Sequence, residues 1–407
     1  MNIVMLLSLP FRYKPWRPRH LRLIVNDLLQ PASNKPQSHH MHLAGAIDWL
    51  CRAQDVRKDL PDAGIAAGWS FADGWLPSYP ETTGYIIETF LAAAKILDRP
   101  ELILRAQRMI DWERSLQQQD GAFPGHFGET GSQPVIFNTG QIMHGMLAGY
   151  LQLGRNECLA SAVQAGKWLV QQQDDDGSWR KFEHNGIPHV YNTRCTWALA
   201  ATGLLANEPT LLRAARRNLE WALTRQTQSG WFANNAFTQE KLPFTHTIAY
   251  AIRGLLECGV LLEEDRYLSA ALSAARCMAH VQHTDGDLAG TYADNWEPRA
   301  SYSCLTGIAQ MSINWMRLAQ EADAPELREH ALRAIEFLKR TQRLDDEDDA
   351  VKGGIAGSCP IWGAYSRFEY PNWAAKFFAD ALIMDMTDEI IPPVATRLVK
   401  PGGQYHG

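Results

Sequence analysis

The chain has 407 residues, 46% of them apolar and 10% aromatic, with a formal net charge of −6. That apolar content supplies a packed core, and the acidic balance gives no general attraction to nucleic acid or anionic membranes. No basic run interleaved with aromatics occurs, and the seven cysteines are scattered singly without a CxxC pair, which argues against nucleic-acid binding and against a zinc or redox pair.

In chain order, Met1 to Pro10 is apolar but short, and Arg12, Lys14, Arg17 and Arg19 follow it rather than precede it, the reverse of a secretory signal. No run of about 20 apolar residues occurs, so no transmembrane segment is expected. The expectation is a cytoplasmic protein able to rest transiently on a membrane through this leader. Residues 1–40 read as an irregular N-terminal arm, 41–390 as the catalytic domain and 391–407 as a C-terminal tail.

From His42 onward a helical period takes over. Helices over 43–53, 100–118, 157–172, 209–225, 264–281 and 325–341 carry charge on one face, as helices facing water do. Helices over 82–97, 139–153, 193–206, 247–260, 305–318 and 372–384 are apolar nearly all round and belong inside. Polar turns follow the outer set: Gln54 to Trp69, Gln119 to Phe123, Gln173 to Trp179, Gln226 to Trp231, Gln282 to Gly286 and Gln342 to Gly354. They recur about every 55 residues, the mark of a repeat architecture. Six outer and six inner helices describe an all-α (α/α)6 toroid.

Each inner helix opens on a polar cluster. N-capping explains Asn138, Asn192 and Asn372 as readily as ligand binding does. It does not require Tyr79, Tyr191, Tyr370, His246, Arg194 or Arg253. In a toroid these ends converge on one mouth, where helix N-termini and the charges of Arg194, Arg253 and Lys376 favour anions. Arg194, Asn192, Asn138, Arg253, Asn372 and Lys376 are therefore candidates for binding a substrate carboxylate. His246, Tyr250, Tyr191, Tyr85 and Tyr370 could abstract the proton that such a carboxylate acidifies. Glu81 could serve as an acid, or simply stabilise its helix dipole. Among the turn aromatics, Trp179 and Trp231 read as repeat packing, and Trp75, Trp296 and Trp362 as cleft walls against sugar rings. His144 reads as a core histidine, and His126 is a weaker candidate.

The Gln…Asp-Gly-Ser-Trp turns resemble the repeats of squalene cyclases and protein prenyltransferases, a likeness over about residues 42–386 that implies an α/α toroid. A closer resemblance is to bacterial exopolysaccharide-biosynthesis proteins with prenyltransferase-like toroids. It is carried by Tyr79-Pro80-Glu81-Thr82-Thr83-Gly84-Tyr85, Tyr191-Asn192-Thr193-Arg194, Thr245-His246-Thr247-Ile248-Ala249-Tyr250 and the run from Tyr370 to Phe378. This implies a carbohydrate pathway and an oligo- or polysaccharide partner, with a lipid-linked form open.

The expected function is proton abstraction at C5 of a uronate-containing glycan, by an epimerase or lyase. Three alternatives stand beside it. A glycoside hydrolase would pair carboxylates from Glu81, Glu129 and Glu369, with Asp73 in reserve. A terpenoid cyclase would use Asp346-Glu347-Asp348-Asp349, which matches DxDD, although that run follows an outer helix and reads better as a solvated loop. A non-catalytic glycan-binding component of an assembly complex would use the same mouth. No cofactor is expected; the metal reading is confined to calcium at Asp345 to Asp349.

Overall fold

The structure, a computed structural model, describes residues 11–29, 32–59, 62–126 and 132–387. Helix α1 (Pro18–Leu29) comes first. Outer helices α2 (His39–Asp55), α4 (Glu101–Leu116), α6 (Asn156–Gln172), α8 (Pro209–Leu223), α10 (Asp265–His280) and α12 (Glu326–Thr341) then alternate with an inner set. The inner helices are α3 (Pro80–Ile96), α5 (Ile136–Leu153), α7 (Thr193–Leu205), α9 (Thr245–Leu261), α11 (Leu305–Glu321) and α13 (Asn372–Thr387). Each inner helix packs on the next, α13 packs on α3, and α2 packs on α13, so the ring closes. The chain folds as an (α/α)6 toroid.

The inner helices are apolar nearly all round because both faces are covered; in α9 only Val260 escapes full burial. Small residues let them touch backbone to backbone. A Cβ at Gly145 would lie 2.1 Å from the Gly84 carbonyl oxygen, and one at Gly254 2.2 Å from the Thr193 carbonyl carbon. The outer helices keep a wet face, and their buried residues fall on one stripe, as Leu211, Ala214, Ala215, Asn218, Leu219, Trp221 and Ala222 do in α8.

The recurring glutamines explain the repeat. The Gln173 amide donates to the Gly177 carbonyl of its own turn at 3.0 Å and to the Ala214 carbonyl of the next outer helix at 2.9 Å. Gln226 does the same with Gly230 and Ala270, and Gln282 with Gly286 and His330. In the second repeat Gln117, two residues before the glutamine singled out by the sequence, bonds Gly121 and Ser161. Gln54 reaches Ala63 and Arg105, and Gln342 closes the ring by bonding Gly353 at 2.7 Å and His42 at 3.2 Å. The turn glycine is required twice over at Gly177. Its φ is +90°, and a Cβ there would stand 2.3 Å from the Arg217 carbonyl oxygen. Trp179, 1% exposed, donates from Nε1 to the Leu169 carbonyl at 2.9 Å and so packs its repeat as expected.

Two expectations are corrected. The N-terminal arm is not irregular throughout: α1 forms within it and is pinned to the toroid by Asp27–Arg343 and Arg22–Asp346, both at 2.7 Å, and by Arg19–Asp348. Those pairs also overturn the cyclase reading of the acidic run, because Asp346 and Asp348 face the arm. Each also accepts a backbone N–H of its own loop, from Asp348 and Ala350 respectively. Among the described residues no group of three or more His, Cys, Asp or Glu side chains could hold a metal ion, so Asp345 to Asp349 does not form the calcium cluster considered above. Glu129, the Met1 to Pro10 leader and the 391–407 tail lie outside the described residues.

Gln173→Ala removes both bonds of one clip and should lower the unfolding free energy by about 1–3 kcal/mol. Gly177→Ala adds left-handed strain and a backbone overlap and should cost more. Urea unfolding checks both; unchanged midpoints would show that the clips do not hold the ring.

Candidate functional site

A cavity of about 360 Å³ opens at the N-terminal ends of the inner helices. The start of α3 contributes Tyr79, Glu81 and Tyr85, α5 contributes Phe137 and Asn138, and the turn into α7 contributes Tyr191. His246, Thr247 and Tyr250 come from α9 and Trp373 from α13; Phe237, Phe244 and Tyr365 complete the walls from loops, with His126 and His184 also lining it. Pro80 opens α3 with its φ already helical, leaving Tyr79 as the last extended residue, turned into the mouth. Threonines of the first turns hold the preceding loops: Thr83 Oγ1 accepts from the Ile65 N–H at 3.0 Å and Thr139 Oγ1 from the Phe123 N–H at 3.2 Å.

Glu81 is the carboxyl group of this cavity. The Tyr79 hydroxyl donates to its Oε2 at 2.6 Å. Burial pushes the Glu81 pKa up to about 7, with the Tyr79 bond pulling the other way. Burial also holds the Tyr79 phenol well above its usual range, so it stays a donor. His246 is 8% exposed, and its Nδ1 sits 2.8 Å from Gln310 Oε1, an acceptor supplied by α11. That bond places the imidazole proton on Nδ1 and leaves Nε2 with its lone pair. Burial lowers the His246 pKa to about 4, with the Gln310 bond opposing, so the ring is neutral near pH 7. The Tyr250 ring lies 4.4 Å from the His246 ring. Its hydroxyl is buried without a hydrogen bond of good geometry, although the Tyr85 phenol is near enough to act on it. Burial raises the pKa of both phenols, so both remain protonated.

The expected cationic mouth is not there. Arg194, Arg253 and Lys376 are 2%, 6% and 1% exposed and lie in a polar layer beneath the cavity, not in its wall. Lys376 pairs with Asp380, and Arg253 with Glu257 at 2.8 Å, which also takes Arg317 at 2.8 Å. Arg194 donates to Gln141 Oε1 at 3.3 Å and lies over the Trp197 ring. Glu88, fully buried among these groups, has its pKa pushed up to about 7, chiefly by burial. His144 belongs to the same layer, with Nε2 3.2 Å from the Arg194 carbonyl, and is a core histidine as expected. The reason is energetic: a charge on a helix buried all round persists only with a partner, which carboxylates four residues on supply to Arg253 and Lys376 and the Gln141 amide oxygen supplies to Arg194.

Other assignments move too. Asn192 donates to Glu183 Oε1 at 2.6 Å, and Asn372 donates to the Ala66 carbonyl and to Thr82, so both are structural. Tyr370 sits on the short strand Glu369–Pro371 under Arg343, away from the cavity. Trp75 packs on Trp49, Trp296 packs on Trp231 and donates to the Ser229 carbonyl, and Trp362 packs against the core; none lines the cavity. Glu369 and Asp73 stand outside it as well. The cavity thus gathers His246, Tyr250, Tyr191, Tyr85, Glu81 and Asn138 from the sequence candidates, together with Tyr79 and the weaker candidate His126. It adds Trp373, Phe137 and Phe244, whose signal was their place at the start of an inner helix, and Phe237 and Tyr365 from the loops before α9 and α13, which carried no such signal. Glu183 was also missed; burial raises its pKa well above the usual range, and it and Glu81 both act on Tyr191.

A family model for the squalene-hopene cyclase C-terminal domain matches residues 76–256, which include Tyr79, Glu81, His246 and Tyr250. A squalene–hopene cyclase of Zymomonas mobilis is 24% identical over 204 residues, 46% of this chain; the match spans only 29% of that relative's length. Solved structures share the fold. Unsaturated glucuronyl hydrolase from Bacillus sp. GL1 has a TM-score of 0.68 at 14% identity, covering 86% of this chain and 97% of its own. Cellobiose 2-epimerase from Bacillus thermoamylovorans has 0.65 at 12% identity, covering 91% and 100%. A sugar epimerase from a ruminal bacterium has 0.67 at 12% identity, covering 84% and 96%. At such identities the likeness is one of fold.

Lys376→Met should strand the Asp380 carboxylate and lower the unfolding free energy by about 3–5 kcal/mol, whereas Lys376→Met with Asp380→Leu should recover most of it. Unfolding titrations of the two variants check this. Equal losses in both would mean that the pair is not what Lys376 is for.

Proposed function

We propose that this protein is an enzyme acting on a glycan, by acid–base chemistry at one sugar ring held among the aromatic walls. The observation that carries the reading is a protonatable carboxyl, Glu81, in the same cavity as a neutral imidazole, His246. Between about pH 4 and about 7 the first is protonated while the second is free to accept a proton. The volume lies within the range of small-ligand pockets, and ring faces such as Trp373 and Tyr365 suit the apolar C–H face of a pyranose. The shared fold of glucuronyl hydrolases and sugar epimerases supports a glycan without choosing a reaction.

Within that class the favoured chemistry is proton transfer at C5 of a uronate, of epimerase or lyase type. With no cation in the described wall, the sugar carboxylate would take hydrogen bonds from protonated Glu81 and from the Asn138 amide, which draw charge from C5. His246 Nε2 accepts the C5 proton. The Tyr250 hydroxyl then returns a proton to carbon in an epimerase, or gives one to the departing O4 in a lyase.

A terpenoid cyclase is the second reading, favoured by the match over residues 76–256 and by the aromatic cavity. An acid with a pKa near 7 is far too weak for alkene protonation, which places this reading behind the first.

Uronate oligosaccharides in deuterated water, followed by proton NMR for exchange at C5 and by ultraviolet absorbance for an unsaturated uronate, test the proposal. Glu81→Gln and His246→Gln should each lower kcat by about 10²–10⁴-fold. In the wild type kcat/KM should fall as pH rises through about 7 and Glu81 deprotonates, and again below about 4 as His246 is protonated. Oligosaccharide binding without turnover would make the protein a binding module. Turnover of squalene with none of any glycan would favour the cyclase.

A further inference from the structure

Helix α1 carries apolar residues on two sides: Leu23 is buried and Ile24 packs against the core, as on an outer helix, while a second apolar row stays outside. Polar residues fasten it to the protein as well: Asp27 pairs with Arg343 at 2.7 Å, Arg22 with Asp346 at 2.7 Å, and Arg19 with Asp348 while lying over the Trp69 ring. His20 is buried and stacks on Phe71 with ring centres 4.0 Å apart. The second apolar row faces outward. Leu21, Val25 and Leu28 stand at i, i+4 and i+7 and are 50%, 37% and 66% exposed, with Leu29 at 72% beside them. Just before the helix, Phe11 and Trp16 are 76% and 58% exposed, in edge contact with each other.

These six residues are most of the large apolar side chains that the described chain leaves exposed, and they fall within residues 11–29. Scattered exposed apolar residues are ordinary, but a cluster of this kind marks an interaction surface. Its charge identifies the partner. Arg12 and Arg17 beside the patch are exposed and form no salt bridge among the described residues, on a protein of net charge −6. Aromatic and leucine side chains bordered by exposed arginines are the composition of a helix lying in a bilayer interface. Among the described residues no helix is long and apolar enough to cross a membrane.

We propose that residues 11–29 form a docking surface for an anionic lipid bilayer, with the α1 axis parallel to the membrane plane. Leu21, Val25, Leu28, Leu29, Trp16 and Phe11 enter the boundary between headgroups and acyl chains, and Arg12 and Arg17 meet lipid phosphates. The polar pins on the opposite side of α1 transmit this orientation to the whole toroid. Docking is independent of what the cavity binds.

Sedimentation of the full chain with vesicles of phosphatidylcholine mixed with phosphatidylglycerol, and with pure phosphatidylcholine, tests this. Binding should be stronger to the anionic vesicles and should weaken as salt rises. Leu21→Ser with Leu28→Ser should reduce partitioning at least about tenfold to both. Arg12→Gln with Arg17→Gln should reduce it about fivefold per residue on anionic vesicles alone. All four side chains are exposed, so the thermal midpoint should not move; if the leucine pair lowers it, the arginine pair decides the matter. Wild-type binding by both variants, or no sedimentation with either vesicle, overturns the proposal. So does a dimer in light scattering that the leucine variant dissolves, because the patch would then hold a second copy of the chain.

Discussion

Each outer helix is tied to the next by one glutamine amide that bonds two carbonyls, one in its own turn and one across the repeat boundary. The turn glycine makes this possible by bringing its backbone against the neighbouring helix where no Cβ would fit. The clip fixes how far each hairpin is rotated and raised relative to the last, and that phase carries inward. With the outer helices in register, the inner ones cross at glycines and their leading ends meet at one mouth. The cavity depends on this spacing more than on any residue that lines it.

The mouth and the layer below it divide their chemistry by charge. Full positive charges are held underneath, each against a carboxylate or an amide in the packed interior. The cavity keeps aromatic rings, neutral phenols, three histidines of which the buried His246 is neutral near pH 7, and one carboxyl. Glu81 and His246 take their unusual proton affinities mainly from exclusion of water, not from a neighbouring ion. A site of this type offers both an acid and a base in the same pH range, while the ion pairs beneath keep the inner helices in place.

The fold was legible because two signals reinforced each other: the alternation of one-sided and all-round apolar helices, and the recurrence of Gln and Gly at a fixed interval. The site was legible in part. The gathering of His246, Tyr250, Tyr191, Tyr85, Glu81 and Asn138 follows from their places at helix starts. The direction of Arg194, Arg253 and Lys376 was misread, although the spacing of Arg253 to Glu257 and of Lys376 to Asp380 is that of neighbours on one helix face. Those carboxylates were available as partners and implied buried pairs. Trp75, Trp296 and Trp362 failed for another reason: the loops that carry them fold back onto packed residues, Trp75 onto Trp49 and Trp296 onto the turn of the preceding repeat, which local pattern does not encode. The helix in the arm was hidden because its apolar residues point both into the core, as Leu23 does, and outward, as Leu21 and Leu28 do, which blurs the one-sided pattern.

A ring made from an open chain has one joint that no peptide bond crosses, and here it lies between the last turn and the first outer helix. Gln342 bonds the His42 carbonyl across it, Trp49 reaches the Ala350 carbonyl and Arg52 the Asp349 carbonyl, each at about 300 residues' separation in sequence. Helix α1 lies along the same joint and fastens to Arg343, Asp346 and Asp348. The seam is held by these side chains and by a short backbone ladder in which Gly68–Ser70 pairs antiparallel with Glu369–Pro371, and it can form only after the sixth hairpin exists. A newly made chain would carry an unclosed spiral until its final hundred residues arrive, and the arm, made first, would be the last piece to find its seat.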